Sequence, residues 1–213
     1  MDKLPRSFYQ QDALAAAQAL LGKVLVRRTP EGITRARIVE TEAYLGPADA
    51  AAHSYQNRQP NRTRIQYGPG GYAYVFLIYG MHWCMNVVVN DPQHPEVVLL
   101  RALEPLEGLE LMQARRGRKD NLCNGPGKLC AAMAIDRSCY GMDLCGEALW
   151  LEEGSLRPEE HILATPRINV DYAGEAAAYP WRFVIQDSPW LSVKHPLRGK
   201  GVSKNSQKSR QTP

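Results

Sequence analysis

The chain predicts an α+β fold: one mixed domain on a curved, mostly antiparallel sheet, flanked by helices and carrying a projecting aromatic β-hairpin. Three observations predict it. Strand-period runs outnumber helical ones, most links between them are short, and no linker or internal repeat divides the 213 residues. That length corresponds to roughly one domain, at about 150 residues each.

The elements follow in order. Ala13 to Leu21 is an apolar stretch ended by Gly22, the mark of a helix C-terminus. Lys3 and Arg6 ahead of it give it the look of an export signal, but Gln10, Gln11, Asp12 and Gln18 interrupt what a signal keeps apolar, so an amphipathic helix is expected. Val24 to Arg28 reads as a strand, Thr29-Pro30-Glu31-Gly32 as a turn, and Ile33 to Tyr44 as a second strand. Leu45 to Gly71 is polar and loop-like. Tyr72 to Ile78 and the run ending in Val87-Val88-Val89 read as two strands joined at Tyr79-Gly80. Val97 to Leu103 is a further strand, and Pro105 is expected to open a helix to about Arg116. Gly125-Pro126-Gly127 introduces a short helix from Lys128 to Ile135; Leu129 stands where a phosphate loop needs Ser or Thr, so that motif is absent. Leu144 to Leu151, Ile168 to Val170 and Arg182 to Ile185 are weaker strand candidates.

Composition limits the function classes. A hydrophobic content of 44% suits a chain with a real core, and no apolar run approaches the roughly 20 residues of a membrane span. The net charge of +4 is concentrated in residues 194–213. They hold six of the 26 Lys and Arg and none of the 22 Asp and Glu, so residues 1–193 carry −2. The expected organisation is therefore a folded domain over 1–193 and a basic, disordered tail over 194–213. Any positive groove in the body must come from local arrangement. Five cysteines without a C-x-x-C pair favour a reducing compartment, cytoplasm with nucleoid or a nucleus. Neither cysteines nor histidines have ligand spacing, so no metal and no cofactor are expected.

The chemistry gathers in two stretches. At strand period Ile38, Glu40, Glu42 and Tyr44 share one face, with the two carboxyls roughly 7 Å apart. Such a pair could hold an acid and a base around a water; on an edge strand it would instead be a solvated, aggregation-blocking face. Arg101, on a face with Val97, Leu99 and Leu103, sits where an apolar residue is expected. A buried arginine needs a carboxylate, and its strand could neighbour Glu42. Tyr72, Tyr74 and Phe76 at strand spacing are core or base-stacking plates. Tyr79 beside Gly80 places a large ring at a turn, as in proteins that wedge DNA apart. Asn86 among apolar residues is a satisfied core amide or a reader of a base edge.

At these residues the chain resembles the alkyladenine (3-methyladenine) DNA glycosylase family. The resemblance is carried by Arg37-Ile38-Val39-Glu40-Thr41-Glu42-Ala43-Tyr44, Ile78-Tyr79-Gly80-Met81, Cys84-Met85-Asn86, Leu99-Leu100-Arg101-Ala102-Leu103-Glu104-Pro105, Lys128-Leu129-Cys130 and Ser188-Pro189-Trp190, in the family's order over about Ser7 to Val193. It implies a monofunctional, cofactor-free glycosylase of base excision repair, acting as a monomer on damaged purines in duplex DNA. Glu42 would be the general base that activates water, with Arg101 and the backbone carbonyl of Ile168 holding that water. Tyr44, His53 and Phe76 would sandwich the flipped base, Asn86 would select against guanine, and Tyr79 would fill the gap in the duplex. Glu40 has no role in the family. Departures from its pattern are Phe76 for tyrosine, His82 for an aromatic hydroxyl, and Gln59-Pro60-Asn61-Arg62 for Thr-Pro-Arg-Asn. Two other activities would use similar groups: a small-nucleoside N-glycosidase, for which the Tyr79 wedge is pointless, and a non-catalytic damaged-DNA-binding module, which would not need both Glu42 and Arg101.

Overall fold

The long strand-period run around Glu42 organises the molecule. In the computed structural model, which describes residues 2–193, Gly32–Tyr44 is a single 13-residue strand, β2, preceded by β1 at Val24–Thr29. The strands that follow are β3 (Ala73–Ile78), β4 (His82–Val89), β5 (Glu96–Glu107), β6 (Leu149–Glu152), β7 (Ile162–Thr165) and β8 (Arg182–Ile185). They form one sheet in the order β3-β4-β5-β2-β1-β6, with β8 beside β2 and β7 beside β8. Every pairing is antiparallel. β2 carries β5 along one edge; along the other it pairs β1 through Arg37 and β8 from Glu40 to Glu42. Glu40 and Glu42 therefore lie mid-sheet and fully buried, not on a solvated edge. The segment 194–213, with its expected disordered tail, lies outside the described residues.

The two sides of the sheet divide the labour. Ala73, Val75, Met85, Val87, Val98 and Leu100 point to the main core, where each large apolar side chain removed from water stabilises the fold by about 1.5–3 kcal/mol. Three α-helices are described: α1 (Ala13–Ala19), α2 (Leu109–Arg116) and α3 (Pro126–Ala132). Each gives residues to this core, among them Ala16, Met112 and Leu129. α1 begins where Asp12 accepts hydrogen bonds from the amides of Leu14 and Ala15, both at 2.9 Å, satisfying donors that a helix start leaves free. On the opposite side the alternate residues Tyr74, Phe76, Cys84, Asn86 and Leu99 line a cavity. None of the described helices is long and apolar enough to cross a membrane.

Four local expectations are corrected. Pro105 does not open a helix; β5 runs through it to Glu107 and α2 starts at Leu109, after Gly108 at φ 76°. Pro105 has no N–H for the ladder, but it sits opposite Ala36 at a register shift, where proline is tolerated. Ile168 to Val170 is not a strand, because the Ile168 amide is drawn to the Glu42 carboxylate and Asn169 takes φ 59°. Leu144 to Leu151 contracts to β6 at Leu149–Glu152. The helix expected at Lys128 to Ile135 is α3, ending before Ala134 at φ 51°.

Candidate active site

Register alone assembles the first row of the site. Tyr74 of β3 pairs with Asn86 of β4, Asn86 with Leu99 of β5, Leu99 with Glu42 of β2, and Glu42 with Arg182 of β8. Directly paired residues project to the same face. Five strands thus bring residues far apart in sequence into one line. They border or underlie a cavity of about 580 Å³, within the usual size of a small-molecule site. Tyr44, His53, Phe76, Tyr79, Asn86, Arg101 and Ile168 all line it. Glu42 lies just beneath, bonded to three of those residues.

Two compensating bulges set the charged centre. Along the β2–β5 pair the register passes from Thr41↔Leu100 to Glu40↔Ala102 and then to Ile38↔Leu103. Arg101 on β5 and Val39 on β2 are each left without a partner. A bulge re-aims the extra side chain. Arg101 turns towards the cavity with Val97 and Leu99, while Leu103 goes to the core with Ile38. The strict alternation that grouped Ile38 with Glu40 and Leu103 with Arg101 fails at these two residues.

Each carboxylate is held by several donors. Glu42 Oε1 accepts the Ile168 amide at 2.7 Å; Oε2 accepts the Tyr44 hydroxyl at 2.9 Å and Arg101 Nη1 at 3.2 Å. A carboxylate has about four lone-pair sites, so these donors leave room for one more, on Oε1. The phenol of Tyr44 stays protonated as a donor, because burial, then the Glu42 charge, push its pKa well above the ordinary value. Glu40 Oε1 accepts Arg101 Nε at 3.0 Å, Arg182 Nε at 2.7 Å and Ser192 Oγ at 2.7 Å; Oε2 accepts the Ser192 amide at 2.6 Å. Burial alone would raise the Glu40 pKa, but Arg101, Arg182 and Ser192 hold it below the usual value.

The rings form the wall above. Phe76 stacks on Tyr74 at 5.3 Å between centroids and meets His53 edge to face at 4.6 Å. His53 Nδ1 lies 2.8 Å from the Tyr74 hydroxyl. Burial, helped by the Arg62 cation, lowers the His53 pKa to about 4, so this ring is neutral at pH 7. Asn86 Nδ2 donates to the Tyr74 carbonyl at 3.2 Å, as a satisfied amide does, and the residue also lines the cavity. Tyr79 sits in the β3–β4 turn at the rim, 73% exposed, with φ 53° followed by Gly80 at φ 69°. Leu77 and Met81 are exposed beside it.

Sequence reasoning missed four residues of this centre. Arg182 opens β8 ahead of Phe183, Val184 and Ile185, and a charge at a strand end is too ordinary to single it out. Ser192 carries no signal, being one serine in a polar stretch. Arg167 and Asp49 form a fully buried two-point ion pair. Arg167 also donates to the carbonyls of Ala43 and Ala176, and its guanidinium lies 4.7 Å from the Tyr44 ring centroid. No spacing rule links positions 49 and 167. Among the described residues no group of three or more His, Cys, Asp or Glu could hold a metal ion.

A family model described as methylpurine-DNA glycosylase matches residues 7–189. A protein of Desulfitobacterium hafniense (strain Y51) is 48% identical over 204 residues, covering 91% of this chain and 100% of its own length. One from Alkaliphilus oremlandii is 48% identical over 202 residues, covering 90% and 100%. One from Methanocella arvoryzae is 47% identical over 200 residues, covering 92% and 98%. Each bears the name "Putative 3-methyladenine DNA glycosylase".

Proposed function

The chain belongs to the methylpurine-DNA glycosylase family, and from that premise we propose that it excises alkylated purines of the 3-methyladenine type, and deaminated purines, from duplex DNA by hydrolysis. The observation that carries the mechanism is the buried Glu42 carboxylate, pinned by three donors under a cavity walled with rings.

Alkylation at a purine ring nitrogen makes the base cationic. Extruding a damaged base costs only a few kcal/mol. Tyr44 and Phe76 favour the cation by stacking worth about 0.5–2 kcal/mol, and the neutral His53 ring does not repel it. Asn86 crowds the exocyclic amine of guanine, and Tyr79 fills the place the base has left. Water bonded at the free site on Glu42 Oε1 gives a proton to the carboxylate as its oxygen attacks C1′ of the sugar. The C1′–N bond breaks and its electron pair leaves with the base; a cationic base departs neutral, and a neutral deaminated base departs as the anion, which then takes a proton from water. Arg101 and the Ile168 backbone keep water and carboxylate aligned. A base that is already cationic needs no further acid, and among the described residues no lysine lines the cavity to act as an amine nucleophile. The product is an abasic site without strand cleavage, formed without cofactor by a monomer in the compartment that holds the DNA. The exposed ring of Tyr79 favours duplex DNA over a free nucleoside as substrate.

Glu42→Gln keeps the shape and loses the basicity, so single-turnover release from lesion-containing duplex should disappear while binding persists. Release within about tenfold of wild type, a loss of only some 1.4 kcal/mol, would remove Glu42 from the role of base.

A further inference from the structure

Glu40 has no task in the mechanism above, yet it is fully buried and accepts four hydrogen bonds. Burying a second carboxylate beside the first is costly unless it is matched by charge. The match is specific. Arg101 donates Nε to Glu40 and Nη1 to Glu42, and its Nη2 reaches Ser192 Oγ at 3.4 Å. Arg182, on the far side of Glu40, is itself fixed by Thr165 Oγ1 at 3.0 Å and the Val193 carbonyl at 2.9 Å. A guanidinium gripped at Nε cannot rotate about its own stem, so Glu40 decides where Nη1 points. Arg101 is the unpartnered residue of a bulge, and the ladder places no neighbour opposite it to steer it. From this geometry we propose that Glu40 is a positioning residue: it aims Arg101 at Glu42, and its negative charge keeps Glu42 basic by sharing that cation.

The charges around Glu42 support this division. Facing it are Tyr44 on its own strand, Arg101 on β5, Cys84 on β4, Arg182 on β8, and Arg167 and Tyr172 beyond β7. Burial raises Tyr44 and Tyr172 above the ordinary phenol range and pushes the Cys84 thiol up to about 11, so those three stay neutral. Arg167 is matched by Asp49. What remains is two cations, Arg101 and Arg182, against two carboxylates. Removing the charge of Glu40 leaves both cations to Glu42 and makes it a weaker base; removing Arg182 does the reverse.

The inference rests on Glu42 being the base, and the test separates the two ideas. Single-turnover base release is measured from about pH 5 to 9, with lesion-DNA affinity, for wild type, Glu40→Gln, Glu40→Asp and Arg182→Gln. Glu40→Gln should release base at least about tenfold more slowly, bind lesion DNA as wild type does, and show its acid limb at lower pH. Arg182→Gln should move that limb to higher pH. Glu40→Asp, which keeps the charge but draws it back, should lose rate with the limb in place. Coincident limbs for wild type and Glu40→Gln would overturn the proposal, as would release by Glu40→Gln within about threefold of wild type. If Glu40→Gln does not fold, the limb of Arg182→Gln decides, and an unmoved limb there overturns it. Release that persists in Glu42→Gln defeats the base assignment instead; a dead Glu42→Gln beside unshifted limbs defeats only the role of Glu40.

Discussion

Tyr79 is a large ring with 73% of its surface in solvent and a backbone φ of 53°. A left-handed non-glycine residue costs about 1–2 kcal/mol, and the turn gains nothing from the ring in return. Tyr79→Ser should therefore leave thermal stability nearly unchanged while weakening capture of a flipped base in duplex DNA. The loss should be smaller for the same lesion in single-stranded DNA. Equal losses on both substrates would make Tyr79 a pocket wall and not a wedge. At this scale much was legible. A carboxylate run beside Tyr44, an arginine in an apolar strand and a ring at a turn all announced themselves by being out of place. Glu40 was visible too, but its partners Arg182 and Ser192 were not, since nothing local ties them to position 40.

Between elements, the pair Asp49–Arg167 ties the segment after β2 to the segment after β7. It fixes three things at once: the Ala43 carbonyl, the back of the Tyr44 ring and the backbone leading to the Ile168 amide. Both side chains are fully buried. Asp49→Ala leaves a buried cation unpaired and should cost about 3–5 kcal/mol of stability, read as a lower midpoint in urea. Base release should fall as well, because two of the donors on Glu42 lose their support; unchanged stability would mean that water reaches Arg167. Strand period grouped Tyr74 with Phe76 on β3 and Val97 with Leu99 and Arg101 on β5, and these do line one cavity. It failed beyond Arg101 because a bulge inserts one residue into a period of two, and the bulge is a property of the β2–β5 pair that neither strand shows alone.

For the whole molecule the charge asymmetry matters most. Residues 194–213 hold six Lys and Arg and no acid. Each phosphate they neutralise should steepen the slope of log affinity against log salt by about 0.9 on duplex DNA. A chain ending at Val193 keeps Ser192 on Glu40 and Val193 on Arg182. That truncation should flatten the slope, slow the search along DNA at low salt, and leave the saturated single-turnover rate nearly unchanged. An unchanged slope, or a collapsed rate, would show that the segment does not act as a simple electrostatic arm. The sequence by itself determined the α+β class, the long strand that carries Glu42 and the chemical kinds of residue that line the cavity, because period and composition are local properties of a chain. Only the tertiary structure decided which strands lie beside β2, that Arg101 is shared between two carboxylates, and that Asp49 meets Arg167. Those outcomes depend on register between segments up to about 150 positions apart, and the free energy that selects a register comes from burial and charge matching summed over the whole sheet.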